Sequence, residues 1–289
     1  MIPSYWKTIP YTPAFKKGNH HEAKNYRSLG NISILYKLYE KLVDYSIRAI
    51  IRLSEDQMGF RPIFSTHTLL LRVEMAMKIS KAAGTNLYIA GIDYQEAFDR
   101  SWRPGILYRL WEQGIKSDIW LIIDDLLTRT ISYVKTNFGN TLPFHTLVGV
   151  IQGSVLAAVL FTLHITPLAA ALANTSEDFG ITRLPPQMFA DDVTLLATRI
   201  AKFRLLIELT LAWSKKWGSV VNMDKSMVMI ALMEQGPGPQ LTFAFPQTNN
   251  LTLLGAAIVP NGVMNPTTLD TRVVMPLLGK IQTKLRAVL

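Results

Sequence analysis

The sequence MFADDVTLLA, at residues 188–197, is the most informative stretch of this chain. Two short apolar runs flank the pair Asp191–Asp192, a pattern that predicts a tight β-hairpin with two carboxylates at its turn. A second apolar run, LYIAGI at residues 87–92, predicts a buried strand and ends directly at Asp93. Carboxylates at strand ends, at the edge of a core, are costly unless a cation or a hydrogen-bond donor compensates them. The three aspartates are therefore candidate ligands of a divalent metal ion.

Magnesium prefers hard oxygen ligands of this kind, and a bound cation relieves the repulsion between adjacent aspartates. Two such ions about 3.5–4 Å apart bind the attacking and leaving oxygens of an in-line phosphoryl displacement. Simpler interpretations stay open at this point, since an Asp-Asp pair is common in turns and Asp93 suits a helix N-cap. Asp99 is equally consistent with a surface charge and with a structural partner of Arg100.

Composition excludes several classes of protein. The 289 residues are 49% hydrophobic and 18% charged, which indicates a folded chain with a sizeable core. The absence of cysteine excludes disulfide scaffolds, thiolate zinc sites and cysteine nucleophiles. The net charge of +9 favours a polyanionic partner. Basic residues concentrate in residues 1–61, 199–225 and 272–286, which form either solvated faces or a groove that follows a phosphate backbone.

One apolar stretch, residues 155–173, requires a membrane test. A spanning helix needs ~20 apolar residues, so the stretch is long enough. His164 and Pro167 interrupt it, and basic anchors are missing from its flanks. We therefore predict a buried helix of a globular core, with a membrane helix as the alternative.

The remaining pattern interleaves helices and strands without a regular βαβ rhythm, which favours an α+β fold. An amphipathic helix is predicted over residues 34–53, with apolar side chains at three- and four-residue steps: Leu35, Leu38, Leu42, Tyr45 and Ala49. The other predicted helices are 66–83, 106–128 with a break at Gly114, and 202–217. Further strands are predicted over 228–232 and 251–259.

Short motifs spread along the chain form an ordered set. They lie at residues 16–18 and 25–27, 36–41, 57–62 and 65–66, 93–99, 149–154, 189–192, 213–226 and 253–255. In this order and at these spacings the chain resembles the reverse transcriptases of non-LTR (LINE-like) retrotransposons, and more distantly the group II intron enzymes. Any one of the motifs alone would be a weak signal.

The resemblance implies a right-hand polymerase core of the α+β class, with an antiparallel palm sheet backed by helices, helical fingers and a truncated thumb. Residues 1–90 would be mostly fingers and 91–260 mostly palm, with a fingers-associated helical insertion near 106–135. Residues 261–289 would begin an incomplete thumb. Family members also carry endonuclease and further thumb segments, so a longer polyprotein would supply the parts that are missing here.

The resemblance also implies RNA-directed DNA polymerisation, in which dNTPs are added to a DNA primer on an RNA template. From the apolar stretch at residues 155–173, predicted as a buried helix, we expect no membrane partner. Asp93 and Asp191 would hold two Mg²⁺ ions, or Mn²⁺ in their place, and Asp192 would share the ligation. Lys225 is a candidate proton donor to pyrophosphate, and a solvated loop lysine is an equally good interpretation.

Other residues match substrate contacts of the family. Phe98 stands at the steric-gate position, where a ring would clash with a ribose 2′-hydroxyl. The remaining nucleotide contacts would be Gln152, Gly153, Arg27 and Arg61, and the template or primer contacts would be Lys16, Lys17, Leu254 and Gly255.

Three positions depart from the family's pattern. Ser28 stands where proline is usual, Phe64 where a second arginine is usual, and Phe189 where tyrosine is usual. The substitutions at Ser28 and Phe64 suggest altered nucleotide contacts or relaxed selection, whereas Phe189 loses only a hydroxyl. Because the thumb would be incomplete, an inactive retroelement remnant that only binds nucleic acid stays open as an alternative.

Overall fold

The computed structural model describes residues 2–176, 185–231 and 242–260. The helices are α1 Ile34–Ile50, α2 Thr66–Ala83, α3 Arg103–Glu112, α4 Asp118–Leu127, α5 Val155–Thr175 and α6 Ile200–Lys216. The strands are β1 Thr8–Phe15, β2 Tyr26–Gly30, β3 Leu87–Ile92, β4 Thr130–Thr136, β5 Gly139–Asn140, β6 Phe144–Thr146, β7 Gln187–Phe189, β8 Asp192–Ala197, β9 Met227–Ala231, β10 Leu251–Leu253 and β11 Ala256–Ile258. The predicted thumb segment 261–289 lies outside the described residues.

The chain divides into two units. The first comprises residues 1–55, 94–168 and 213–220, and the second comprises residues 56–93, 169–212 and 221–289. Helices and sheets are mixed in both, which confirms the predicted α+β class.

The second unit is built on an antiparallel sheet with the strand order β7-β8-β3-β9. β3 is buried on both faces, because Leu87 and Ile89 join a core cluster with α2 while Tyr88 packs on Phe203 of α6 at 5.6 Å. This two-sided burial explains the uninterrupted apolar sequence of β3. The predicted boundaries of β3 and α2 are confirmed residue for residue.

The prediction of one strand over residues 251–259 is wrong. The segment forms a hairpin of β10 and β11, whose two-residue turn places Leu254 at φ 48° and Gly255 at φ 84°. Positive φ at both central residues is the requirement of a type I′ turn. Leu251, Leu253, Ala256 and Ile258 all face the same core cluster.

The first unit contains a sheet that escapes prediction from the sequence. β1 pairs antiparallel with β2 and parallel with β4, and β4 also pairs with β5 and β6. Pro10 and Pro13 lie inside β1, and proline normally argues against a strand that is paired on both edges. The region predicted as fingers therefore carries strands as well as helices.

Helix α1 begins at Ile34 as predicted but ends at Ile50, three residues before the predicted end, and the face that it buries is opposite to the apolar one. Leu38, Leu42 and Tyr45 are 61%, 64% and 79% exposed. The buried face instead carries Tyr36, Glu40, Val43, Asp44 and Ile47. Two buried acids are tolerated there because each has partners. Glu40 accepts hydrogen bonds from the Ser154 hydroxyl and from the Val155 N–H, and Asp44 pairs with Arg48 at 2.8 Å.

Helix α5 contains the apolar stretch that required the membrane test. By length and composition alone it could cross a bilayer, and 72% of its most apolar 18-residue window is buried inside the protein. A core helix of a globular protein can have the same length and composition. The burial of most of this window agrees with the predicted core helix.

His164 of α5 is 1% exposed and lies among aromatic rings of the first unit. Its ring centroid is 5.8 Å from that of Trp213 and 5.7 Å from that of Trp217. Within the described residues neither ring nitrogen has a hydrogen-bond partner. Burial, and secondarily the charge of Arg109, lowers the pKa of His164 to about 4.

This histidine predicts a loss of stability in mild acid. The folded-state pKa lies below the ordinary value of 6.5, so the unfolded chain binds more protons as the pH falls. The contribution is full above pH 6.5 and is lost as the pH falls toward about 4, with a total of about 3 kcal/mol. Denaturant unfolding at a series of pH values should show this loss in wild type and a shallower one in His164→Phe. The control His145→Phe alters an exposed ring and should behave as wild type, whereas parallel curves for wild type and His164→Phe would contradict the assignment.

Candidate active site

The register of two strands brings the predicted carboxylates together. β3 and β8 are antiparallel, and Ile92 pairs with Val193. Asp93 therefore follows the end of β3 where Asp192 begins β8, and Asp191 lies in the adjoining turn. Residues far apart in the sequence thus meet at one edge of the sheet.

The turn that carries Asp191 has a strained backbone. Its two central residues are Ala190 and Asp191, and Ala190 has φ 57°, a left-handed conformation that favours glycine. For a residue with a Cβ this costs roughly 1–2 kcal/mol. The surroundings must therefore hold the turn in place.

Gln57 supplies that support. Its side chain is fully buried, its Nε2 donates to the Ala190 carbonyl at 3.0 Å, and its Oε1 accepts from the Ala190 N–H at 3.0 Å. The same Oε1 accepts from the Gly59 N–H at 2.8 Å. Gly59 lies directly against the turn, because a Cβ added to it would come within 2.2 Å of the Ala190 nitrogen.

The sequence predicts Gln57 and Gly59 only as members of the motif at residues 57–62, so their support of the turn is a finding of the structure. The available signal was weak. It consisted of a glutamine two residues before a glycine in an apolar context.

Asp93 is held from the loop before β9. Asn222 donates from Nδ2 to Asp93 Oδ2 at 3.0 Å, and the Lys225 ammonium lies 3.6 Å from the same oxygen. The Asp93 N–H donates to the Ser226 hydroxyl at 3.2 Å. The Lys225 side chain is 64% exposed and forms an ion pair with one of the three predicted ligands.

The electrostatics of the site indicate a shortage of positive charge. The pKa of Asp192 rises to about 7, first because of burial and then because of the charges of Asp191 and Asp93, while Lys225 opposes the rise. A hard divalent cation binds clustered carboxylates of this kind and relieves the repulsion between them. The residues thus fit a divalent metal in chemistry. Within the described part of the chain, however, no three acidic or histidine side chains already stand in metal-ligating positions.

An open pocket of about 170 Å³ lies beside these carboxylates. Asp93, Asp192 and Lys225 line it together with Leu253 and Leu254 of the β10–β11 hairpin. Leu254, predicted as a primer contact, therefore shares a pocket with the predicted metal ligands. Gly255 belongs to the same turn.

The predicted nucleotide residues of the first unit form a second group. Gln152 donates from Nε2 to Asp99 Oδ2 at 2.8 Å. Gly153 has φ 110°, and a Cβ on it would lie 2.9 Å from the Gly30 carbonyl oxygen. Phe98 is half-buried and stacks on Phe161 with centroids 4.7 Å apart.

The predicted basic contacts occupy different places. Arg61, in the second unit, donates to the Gln57 carbonyl at 3.2 Å and lies over the Phe64 ring at 4.8 Å. Phe64, which stands at the position where the resemblance predicts a second arginine, thus packs against Arg61. Arg27 is exposed on β2, and Lys16 and Lys17 are exposed at the loop between β1 and β2.

Comparison with known proteins identifies this arrangement. The family model for "Reverse transcriptase (RNA-dependent DNA polymerase)" matches residues 15–258. The chain belongs to the reverse transcriptase family. This confirms the resemblance found in the motifs, and members of the family use divalent metal ions.

Relatives of this reverse transcriptase chain include mobile-element proteins of Drosophila melanogaster. It is 26% identical over 240 residues to "Probable RNA-directed DNA polymerase from transposon BS", covering 78% of this chain and 26% of the relative. It is 23% identical over 238 residues to "RNA-directed DNA polymerase from mobile element jockey", covering 78% of this chain and 25% of the relative. The chain thus spans about a quarter of the length of these relatives.

Solved structures show the same fold. The apo telomerase of Candida tropicalis, truncated from its C-terminal domain, aligns with a TM-score of 0.64 at 13% identity, over 92% of this chain and 56% of that one. A second structure of apo telomerase from the same species gives a TM-score of 0.63 at 13% identity, over 90% of this chain and 48% of that one. The reverse transcriptase chain therefore has the right-hand polymerase fold that the motifs predicted.

Proposed function

We propose that this chain is the polymerase core of an RNA-directed DNA polymerase, which adds dNTPs to the 3′-end of a DNA primer. The observation that carries the proposal is the meeting of Asp93, Asp191 and Asp192 at one sheet edge, in a chain of the reverse transcriptase family. Three clustered carboxylates, two of which line an open pocket, suit an in-line transfer of a nucleotidyl group.

The carboxylates of Asp93 and Asp191 would hold two Mg²⁺ ions, for which Mn²⁺ can substitute, and Asp192 would share the ligation. When bound, these ions lower the pKa of the primer 3′-hydroxyl and neutralise the charge of the triphosphate and of the leaving pyrophosphate. The protein keeps the ligands in place through Gln57, which clamps the turn, and through Asn222, which orients Asp93.

Lys225 would act next to these ligands. Its ammonium group balances Asp93 before substrate binds, and it is the candidate donor of a proton to pyrophosphate. The Leu254–Gly255 turn would contact the primer from the same pocket.

The first unit would supply further substrate contacts. The Phe98 ring, stacked on Phe161, would exclude a ribose 2′-hydroxyl, and Gln152 and Gly153 would contact the incoming nucleotide. Arg27 of the first unit and Arg61 of the second unit would bind phosphates of the nucleotide, and Lys16 and Lys17 those of the template. We retain residues 1–90, 91–260 and 261–289 as the proposed fingers, palm and start of the thumb.

The proposed template is RNA. The net charge of +9 suits a polyanionic partner. A telomerase of Candida tropicalis with 12% identity and a TM-score of 0.61 was solved "in complexe with TWJ fragment of telomeric RNA". An inactive remnant that only binds nucleic acid is not favoured, because the carboxylates and their supporting residues Gln57 and Asn222 are all present.

Primer extension tests the proposal. The purified chain should extend a labelled DNA primer on an RNA template in the presence of Mg²⁺ and dNTPs, and EDTA should abolish the extension. Replacing dNTPs by NTPs should reduce it strongly if the Phe98 ring excludes the 2′-hydroxyl. RNA binding that weakens steeply with salt, without extension on any template, would support the inactive remnant instead.

A further inference from the structure

A carboxylate outside the catalytic group contacts a predicted nucleotide residue. Asp99 Oδ2 accepts a hydrogen bond from Gln152 Nε2 at 2.8 Å. The alternative from the sequence, that Asp99 is a partner of Arg100, is not what the structure shows, since Arg100 Nε pairs with Glu96 at 3.2 Å. Asp99 therefore connects the motif at residues 93–99 to the motif at residues 149–154.

The backbones around this contact are fixed independently. The Gly149 N–H donates to the Ser101 carbonyl at 2.8 Å, and the Val150 N–H donates to the Phe98 carbonyl at 2.8 Å. A Cβ on Gly149 would lie 2.4 Å from the Asp99 carbonyl oxygen, so only glycine allows this approach. On the other side, the Gly30 N–H donates to the Gln152 carbonyl at 2.7 Å. The Gln152 carbonyl is thus held by Gly30, and the chain just before it is held at Gly149 and Val150, whereas the Gln152 side-chain amide is held by Asp99.

The chemistry of the pair selects one orientation of the amide. A glutamine amide has a donor end and an acceptor end, and an ionised carboxylate offers only acceptors. The donor end of Gln152 must therefore face Asp99, which turns the carbonyl oxygen away. Burial raises the pKa of Asp99, and the hydrogen bond from Gln152 opposes this rise. The contact therefore stabilises the ionised form that fixes the amide.

We propose that Asp99 is a positioning residue of the polymerase, which determines the end of the Gln152 amide that is presented to the incoming nucleotide. This inference rests on the proposed function, because it takes Gln152 as a nucleotide contact. Asp99 acts through Gln152 and does not itself contact the reacting atoms.

Steady-state extension by the full chain tests the proposal with two substitutions of different severity. Asp99→Ala removes the acceptor, and we expect the KM for dNTP to rise about tenfold to a hundredfold while kcat changes less than threefold. In Asp99→Asn the asparagine oxygen can still accept a hydrogen bond from Gln152, but its NH₂ group can also donate to a Gln152 amide turned the other way. The KM of this variant should therefore lie between those of wild type and Asp99→Ala. Asp118→Ala, which removes an exposed carboxylate of the first unit, is the control and should keep the wild-type KM.

A double-mutant cycle separates positioning from a general structural role. In a Gln152→Ala background, Asp99→Ala should raise the KM less than twofold further, because the group that Asp99 positions is gone. An additive effect, or an unchanged KM in Asp99→Ala, would overturn the inference.

NMR of the Gln152 side-chain amide provides a readout that does not depend on activity. In wild type its Nε2 protons should exchange slowly and shift when Asp99 is replaced by alanine. If this signature is missing, the inference fails whether or not the chain extends primers. If the signature is present but wild type extends no primer, the proposed function fails and the positioning role fails with it, although the Asp99–Gln152 contact stands.

Discussion

The Asp191→Asn variant is expected to lose about a thousandfold or more of primer extension while remaining folded. Asparagine keeps the size of the side chain in the Ala190–Asp191 turn but removes one of the charges that a divalent cation requires. The Asp191 charge also raises the pKa of the neighbouring Asp192, so its removal relieves repulsion. Stability of the metal-free variant should therefore equal or exceed that of wild type. Single-turnover extension and denaturant unfolding measure the two effects.

The matched control is Asp224→Asn, which removes an exposed carboxylate of the same unit and should leave extension within about twofold of wild type. Asp93→Asn should resemble Asp191→Asn in its loss of extension. Activity in Asp191→Asn close to wild type would contradict the assigned site. A large loss of stability would instead show that Asp191 is a structural residue of the turn.

The Gly59→Ala variant is expected to lower the free energy of unfolding by about 2–3 kcal/mol and to reduce extension more than tenfold. The added methyl group would lie 2.2 Å from the nitrogen of Ala190 and 2.8 Å from its Cα. These are backbone atoms, so no side chain can move aside to relieve the clash. Either the turn shifts, which displaces Asp191 and Asp192, or Gly59 withdraws and breaks its hydrogen bond with Gln57. Denaturant unfolding and primer extension on the same preparation measure both effects.

Gly114→Ala is the control for this substitution. Gly114 has φ 88° and nothing within 4 Å of an added Cβ, so alanine there should cost about 1 kcal/mol from backbone strain alone. Extension should be retained. Equal stability losses in the two variants, with normal extension in Gly59→Ala, would show that Gly59 does not support the catalytic turn.

The elements that the sequence predicted well are those with a local signal. Strand β3 and hairpin β7–β8 consist of short apolar runs that end at charged residues, and both lie where predicted. The exposed apolar face of α1 could not be predicted, because apolar spacing shows that a helix has two faces but not which of them is buried. Glu40 is buried because Ser154 and Val155 satisfy its carboxylate, and these contacts depend on the tertiary structure. Asp44 pairs with Arg48 four residues later in the same helix, a local contact that does not reveal which face is buried.

The candidate site shows the same difference between features with a local sequence signal and features that depend on long-range contacts. The motifs predicted the three aspartates, and their meeting follows from one antiparallel register, Ile92 with Val193. The supporting contacts were not predictable, because Gln57 reaches Ala190 across 133 positions and Asp99 reaches Gln152 across 53. A buried glutamine and a half-buried aspartate have no periodic signature in a single sequence.

Local cleavage by bound iron tests most directly whether the three aspartates share metal ions. Fe²⁺ that replaces Mg²⁺ reduces added hydrogen peroxide to hydroxide and a hydroxyl radical and is itself oxidised to Fe³⁺, which added ascorbate reduces again. The radicals cut the nearest backbone, and the experiment is done with primer, RNA template and dNTP present. Our account predicts two cuts in the same molecules, one near Asp93 and one near Ala190–Asp192, with both suppressed by excess Mg²⁺ and both lost in Asp191→Asn. A cut at only one of these places, or cuts that persist in Asp191→Asn, would contradict it.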